Sequence, residues 1–280
     1  MVYSSKVIID QIKNSPFVTK EFLDLAIQLN NFSEGYSQHE LFSVKNETLF
    51  NKGSKDFIDY RPSLELTLQK LKDLKCKKLS LDSLHFDQVK EIAESIQSNL
   101  IKIAKRDQVV NLILPNSYEE YIDDLPRKKK HELKRKKSRF QEQYPEAELK
   151  ESKDIEIFKS FVTFHKTADG EKGSFMKDEV IIFFRNLLAM NGWKIYYLET
   201  NNTTAACCFV FEDELGSYLY NSSKNNSFNE VNPGIIIIDK IIEKLINKNY
   251  IFFDLLKGTE RYKFDLGGTA TQLYDLEITL

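Results

Sequence analysis

Only three cysteines occur in the chain, and they form no C-x-x-C pair. Cys207 and Cys208 are adjacent, so on a strand they would face opposite sides of the sheet, and Cys76 stands far away. A disulfide framework and a zinc site are therefore not expected. Long hydrophobic runs are also missing: every apolar stretch falls well short of the ~20 residues that cross a bilayer, and the start MVYSSKVIIDQIK has no apolar signal-peptide core. A reducing, cytoplasmic location without membrane insertion is the expectation. Glycine and proline are scarce, 10 and 6 of 280 residues, and no internal repeat is legible. There is no nucleophile elbow, and neither Cys207 nor Cys208 has a base close in sequence, so a covalent enzyme intermediate is not implied.

What is present is ordinary for a globular protein, with 41% hydrophobic and 29% charged residues, and the length favours two domains. The net charge of -2 conceals an asymmetry. Arg127 to Arg139 holds nine Lys or Arg and one Glu, a local +8, which leaves the remainder at -10. Such a concentration draws phosphate-bearing or nucleic-acid partners to one place. It is also costly to hold helical without Glu at i+4, which favours a phosphate-facing role for Arg127, Lys130, Lys134 and Arg135 over a merely solvated face. Interleaved aromatics are absent apart from Phe140, against a base-stacking surface.

Periodicity predicts a helix over Ser15–Asn31, a strand or hairpin over Leu41–Phe50, and a helix after Pro62 with Leu64, Leu68, Leu71 and Leu74 as its stripe. A strand is expected at Lys78–Leu81, a helix at Phe86–Ile103 and a strand at Gln108–Leu114. Pro115 and Asn116 mark the expected boundary between domains 1–115 and 116–280. Ser117, Tyr118, Glu119 and Glu120 form a capping box for a long helix to Gln143, bent at Pro126. Helices near Asp154–Lys166 and Met176–Asn191, three strands between Trp193 and Asn221, a helix over Gly234–Asn247, a strand over Tyr250–Leu256 and a final strand pair through Leu273–Thr279 complete the α/β order.

The stretch FDLLKGTERYKFDLG, Phe253 to Gly267, is the most unusual. An apolar strand with Asp254 in its middle stops at Gly258 and then presents Glu260, Arg261, Tyr262 and Lys263. A buried carboxylate needs a partner, for which Arg261 or Lys263 is available, and a salt bridge fixing the loop competes with a catalytic base as its explanation.

Together with SYEEYIDDLPRKKKHELKRKKSRF, FVTFHKTADGEKGSF and SYLYNSSKNNSFNEVNPGIIIIDKIIEKL, this stretch resembles the GNAT-like acetyltransferase domain of the CelD/BcsL type, related to the Fem-type aminoacyl transferases. The F-D-x-x-x-G-x-E-x-Y-K pattern, complete at Phe253, Asp254, Gly258, Glu260, Tyr262 and Lys263, carries most of the likeness. The resemblance implies a mixed, mostly antiparallel sheet with flanking helices in two GNAT-like halves, the first degenerate. It implies an acyl donor, acetyl-CoA, held where two strands splay, with no metal. Asn232, Pro233, Gly234 and Ile235 would meet the donor's phosphates; by residue type alone they read as an ordinary helix start. The family's usual Q/R-x-x-G-x-G/A phosphate loop is absent. Lys263 and Tyr262 are expected beside the acyl carbonyl or acceptor, with Asp254 or His165 as the base, although a histidine following Phe158, Phe161 and Val162 is more often packed in a core. The expected activity is acetyl transfer to an amine or hydroxyl of a cell-envelope or polysaccharide precursor, a small molecule or glycan precursor. The alternatives are a Fem-like transfer from aminoacyl-tRNA and a non-catalytic nucleic-acid or partner-binding module.

Overall fold

The computed structural model describes residues 15–29, 35–168 and 170–280, and only the backbone of residues 171 and 172. The chain start and the expected helix end at residues 30–31 lie outside them. Two compact units emerge, Met1–Val109 with Thr271–Leu280, and Val110–Ala270. The first seam thus falls a few residues before Pro115, and the last ten residues group with the first unit.

In the first unit, Thr19 caps helix α1 (Lys20–Ala26) by accepting from the Phe22 N–H at 3.3 Å. The expected hairpin is β2 (Phe42–Lys45) and β3 (Thr48–Asn51), following the short β1 (Ser37–Gln38). Its two-residue turn, Asn46 and Glu47, has positive φ at both positions, as a twisted hairpin requires. Helix α2 is shorter than the leucine stripe predicts, Leu68–Asp73 only. Residues 62–67 form no helix: Leu64 and Leu66 are buried on either side of exposed Glu65, a period of two, and extended Thr67 caps the helix at the Lys70 N–H. Strand β4 (Lys78–Leu84) precedes α3 (Phe86–Ile96). That helix ends seven residues before the expected Ile103 because Gln97 turns left-handed, and β5 (Leu100–Ile113) begins where more helix was expected. With the final strand β11 (Thr269–Thr279), the order in this unit is β1-β2-β3-β4-β11-β5. One strand, rather than a pair, closes the chain.

The second unit opens with α4 (Tyr118–Asp124), capped by Ser117 on the Glu120 N–H. The long helix expected from Ser117 is broken, not bent. Leu125, forced out of the helical region by Pro126, is extended, and α5 runs over Arg127–Gln143. Then follow β6 (Glu148–Ser152), α6 (Ile155–Lys166), α7 (Glu171–Phe175), α8 (Asp178–Ala189), β7 (Trp193–Thr200), β8 (Thr203–Glu212), β9 (Gly216–Lys224), α9 (Pro233–Asn247), β10 (Phe252–Lys257) and α10 (Arg261–Asp265). The strand order is β10-β9-β8-β7-β6, beginning beside the end of β5; β9 and β10 are parallel, and β6 to β9 are antiparallel.

Strand alternation divides this sheet into two faces. Cys208, Val210, Phe253 and Leu255 join the core under α9, which buries Ile237, Ile241, Ile242 and Leu245 there, each worth roughly 1.5–3 kcal/mol. On the opposite face Phe209 packs against Phe161 of α6 and Phe184 of α8. The adjacent cysteines do face opposite sides, and all three are buried free thiols.

Candidate functional site

The parallel ladder between β9 and β10 spans three registers, Gly216 with Phe252, Ser217 with Phe253, and Tyr218 with Asp254. Both strands continue beyond it, β9 to Lys224 and β10 to Lys257. A fork opens there. Contact below it is close because residue 216 is glycine: a Cβ there would lie 2.6 Å from the Phe252 carbonyl oxygen and 2.7 Å from its ring.

Asp254 shapes the fork from the last paired position. It is fully buried, and its Oδ1 accepts from the Leu256 N–H at 2.7 Å. The Asn111 amide, oriented with its nitrogen toward the carboxylate, donates to both oxygens at 3.0 and 2.8 Å. The two-residue loop holds Leu256 at φ +59°, a left-handed conformation that costs a non-glycine residue roughly 1–2 kcal/mol. This kink turns β10 out of its pairing.

The cations expected to neutralise Asp254 pair with other carboxylates instead. Arg261 is 93% exposed, with Nε 3.4 Å from Asp265. Lys263 is 3% exposed and its ammonium lies 3.1 Å from Glu260. It donates to the carbonyls of Leu256 and Gly258, each at 3.2 Å, and to that of Lys257. The three carbonyls account for the three N–H bonds of an ammonium and the Glu260 carboxylate neutralises its charge, so Lys263 clamps the strand end. Glu260, expected to contact a phosphate or substrate, is the anionic partner of that clamp. Tyr262 packs partly buried against the core under α9, where burial, followed by the charge of Glu260, pushes its phenol pKa up.

A cleft with about 110 Å³ of free volume lies between α5, the start of α9 and α10. Lys128, Lys129, Lys136 and Arg261 supply its cations, Glu132 and Asp265 its anions, and Leu133, Ile235 and Leu266 its apolar lining. Lys129 also donates to the Phe264 carbonyl at 2.6 Å, tying the basic helix to α10. At the helix start Asn232 is left-handed (φ +55°), accepts from the Ile235 and Ile236 N–H groups, and is followed by Pro233 in the first turn. Around Gly234 a Cβ would meet only the Lys224 side chain, at 3.9 Å, so the approach is open. Positive dipole end, cations and an apolar lining thus fit a phosphate-bearing ligand with a long organic arm.

Of the α5 residues expected to meet a phosphate, none lines this cleft. Lys130 pairs with Asp123. Arg135 binds Glu132 at 2.8 Å, and that contact holds the Glu132 carboxyl at about 2, well below its ordinary range. Glu132 also reaches Lys136, four residues on, at 3.6 Å, so the helix does have the i+4 acid thought missing. Lys134 and Arg135 line a shallow outer groove with His131, Ser138 and Arg139, and Arg127 is exposed at the helix start. The α5 cations that do line the cleft, Lys128, Lys129 and Lys136, are not among those expected from the sequence. The signal was there: Leu133 and Phe140, seven residues apart, are the buried positions of α5, and Lys129 and Lys136 flank Leu133 at helical spacing.

His165 is buried beside Phe161 and Phe175, on the sheet face opposite α9. Asp254 faces the same side, since its neighbours Phe253 and Leu255 enter the α9 core. The cleft and the Asp254 carboxylate therefore flank the fork from opposite faces. Among the described residues no group of three or more His, Cys, Asp or Glu could hold a metal, and no helix is long and apolar enough to cross a membrane.

Residues 127–264 match the acetyltransferase (GNAT) domain family. No curated protein matches the chain in sequence. Among solved structures, a conserved protein of unknown function from Bacteroides thetaiotaomicron VPI-5482 superposes with a TM-score of 0.61 at 12% identity, over 98% of this chain and 97% of that one. FemX superposes with a TM-score of 0.55 at 10% identity, over 74% of this chain and 73% of its own. The C-terminal domain of a candidate lysylphosphatidylglycerol synthetase from Agrobacterium fabrum gives 0.54 at 10% identity, over 93% and 90%. The fold is GNAT-like, as the sequence motifs imply, with a mixed sheet and flanking helices.

Proposed function

We propose that the protein is an acyltransferase that binds acetyl-CoA in the cleft between α5, α9 and α10 and transfers the acetyl group to an amine or hydroxyl of a cell-envelope or polysaccharide precursor. The fork between β9 and β10, opening beside a cation-lined cleft at a helix start, carries this reading. Acetyl-CoA supplies the acyl group already activated as a thioester. Lys128, Lys129, Lys136 and Arg261 hold its phosphates against the start of α9, where Gly234 leaves the approach open. Beyond Tyr218 the edge of β9 that turns from β10 offers backbone groups to the pantetheine arm and N–H groups to the acyl oxygen. The acceptor approaches from the opposite face of the sheet, and transfer is direct attack within a ternary complex: its nitrogen or oxygen bonds the acetyl carbon, the thioester C–S bond breaks, and the acceptor's proton leaves with the CoA sulfur as a thiol. Asp254 and Lys263 are positioning residues: one sets the fork, the other fixes the loop beside it.

The test is calorimetric titration of acetyl-CoA into wild type, Lys128→Glu, Gly234→Glu and, as an outer-face control, Lys134→Glu. The two inner variants should weaken binding by about tenfold or more, the scale of 1.4 kcal/mol, and the control far less. Absence of binding to wild type, or equal losses in all three variants, refutes the placement.

A second reading, transfer from an aminoacyl-tRNA, is favoured by the outer groove of His131, Lys134, Arg135 and Arg139 alone. It predicts tRNA binding that weakens steeply with salt and is lost in Lys134→Glu.

A further inference from the structure

The first eight residues of β5, Leu100 to Asp107, are exposed without exception, which is unusual for a strand. One edge of β5 is taken by β11, to which it is tied by Lys102 with Glu277 at 3.6 Å and Arg106 with Asp275 at 2.5 Å. On the other edge the neighbour is β10, six residues long, which meets only the far end of β5: the Leu114 N–H bonds the Ile251 carbonyl, and Asn111 faces Asp254. Among the described residues no strand pairs with 100–107 on that edge, where Leu100 is 66% and Ile103 46% exposed. The contacts to Glu277 and Asp275 put Lys102 and Arg106 on one face, so Ile101 and Ile103 lie on the other, the face where exposed Phe86 meets Tyr274 with tilted rings 5.3 Å apart.

We propose that this edge pairs with the same edge of a second copy of the chain, as an antiparallel ladder centred on Ile103. A two-fold axis through such a ladder must pass through a residue pair, because only then do facing side chains share a side of the sheet. A centre at Lys102 or Lys105 would set a lysine against itself, and a centre at Ala104 would oppose Lys102 to Arg106. A centre at Ile103 places Ile103 against Ile103, Lys102 against Ala104, Ile101 against Lys105 and Leu100 against Arg106. No like charges then face each other over seven residues of each chain, and the apolar Ile101 and Ile103 of both copies adjoin on one side. Lys102, Lys105 and Arg106 thus disfavour the centres at Lys102, Ala104 and Lys105, and a centre at Ile101 would engage only residues 100–102 of the strand.

The test is the mass of the full chain by light scattering and sedimentation across a wide concentration range, with two variants whose folding is checked by circular dichroism. Wild type should dimerise. Ile103→Lys, which puts two ammonium groups at the axis, should shift the dimerisation constant by at least about tenfold. Ile103→Cys should form a disulfide-linked dimer under mild oxidation, since facing Cα atoms about 4.5–5.5 Å apart suit the bond, and Lys105→Cys should not. The three native cysteines are buried and do not confuse the readout. A monomeric wild type, which would leave the edge to a strand of another protein, overturns the proposal, as does a dimer that Ile103→Lys leaves intact or that links more readily through position 105.

Discussion

Replacing Lys263 with methionine separates a clamp from a chemical group. The side chain keeps its length and its packing but loses the ammonium, which at 3% exposure donates to the carbonyls of Leu256, Lys257 and Gly258 and faces Glu260. Glu260 is 58% exposed and regains water, so little of the loss comes from it. The carbonyls are less fortunate: each buried acceptor left without a donor costs about 1–3 kcal/mol, and water reaches some of them once the loop loosens. A total of about 3–5 kcal/mol is expected. The only tryptophan, Trp193, is buried in β7 of the same unit, so its fluorescence during urea unfolding reports on this unit specifically. The urea midpoint should fall at unchanged slope, and the thermal midpoint should drop by roughly 10 °C, at about 2–4 °C per kcal/mol for a unit of this size. A loss below about 1 kcal/mol would refute the clamp and return Lys263 to the chemistry of transfer.

Two other changes probe the fold around it. Gly216→Ala should destabilise the second unit by about 1–3 kcal/mol, again read by Trp193, because its Cβ meets a backbone carbonyl at 2.6 Å that cannot move without parting β9 from β10; a neutral effect would mean the strands are not that close. In the first unit, burial lowers the pKa of His85, stacked on Tyr60, to about 4, so between that value and the unfolded value near 6.5 the unfolded chain binds the extra proton. Stability is then complete above about pH 6.5 and falls as pH drops toward 4, by up to about 3 kcal/mol; urea unfolding followed by circular dichroism should show this loss in wild type and not in His85→Phe, and equal pH dependence in both would dismiss it.

Elements written in hydrophobic rhythm were legible. The Ile-rich helix after Pro233, the three central strands and the helix ending at Lys166 lie within a few residues of their expected bounds. Failures came where a single residue's backbone overrode the rhythm: Gln97 turning left-handed before an apolar stretch, Leu125 barred from helix by Pro126, and Leu64 and Leu66 repeating at two instead of four. In the candidate site the motif was visible but its wiring was not. Asp254, Glu260 and Lys263 read as a cluster because they are close in sequence, yet Asp254 is held by Asn111, some 140 residues earlier, and Lys263 by backbone carbonyls that no sequence displays. Helix α5 showed the converse. Its charge was conspicuous, and only the depth of Leu133 and Phe140 decides which of its lysines face the cleft.

That helix has a further consequence. Only Leu133 and Phe140 of its 17 residues are buried, and Lys137 fastens it by reaching buried Asp239 of α9 at 2.8 Å and the Tyr118 hydroxyl at 2.6 Å. Four positions therefore moor the element, these three and Lys129 through the Phe264 carbonyl, while Lys134, Arg135 and Arg139 line the outer groove. The helix thus carries two separable sets of cations, and replacing the outer set would change what that face attracts without disturbing the cleft or the moorings.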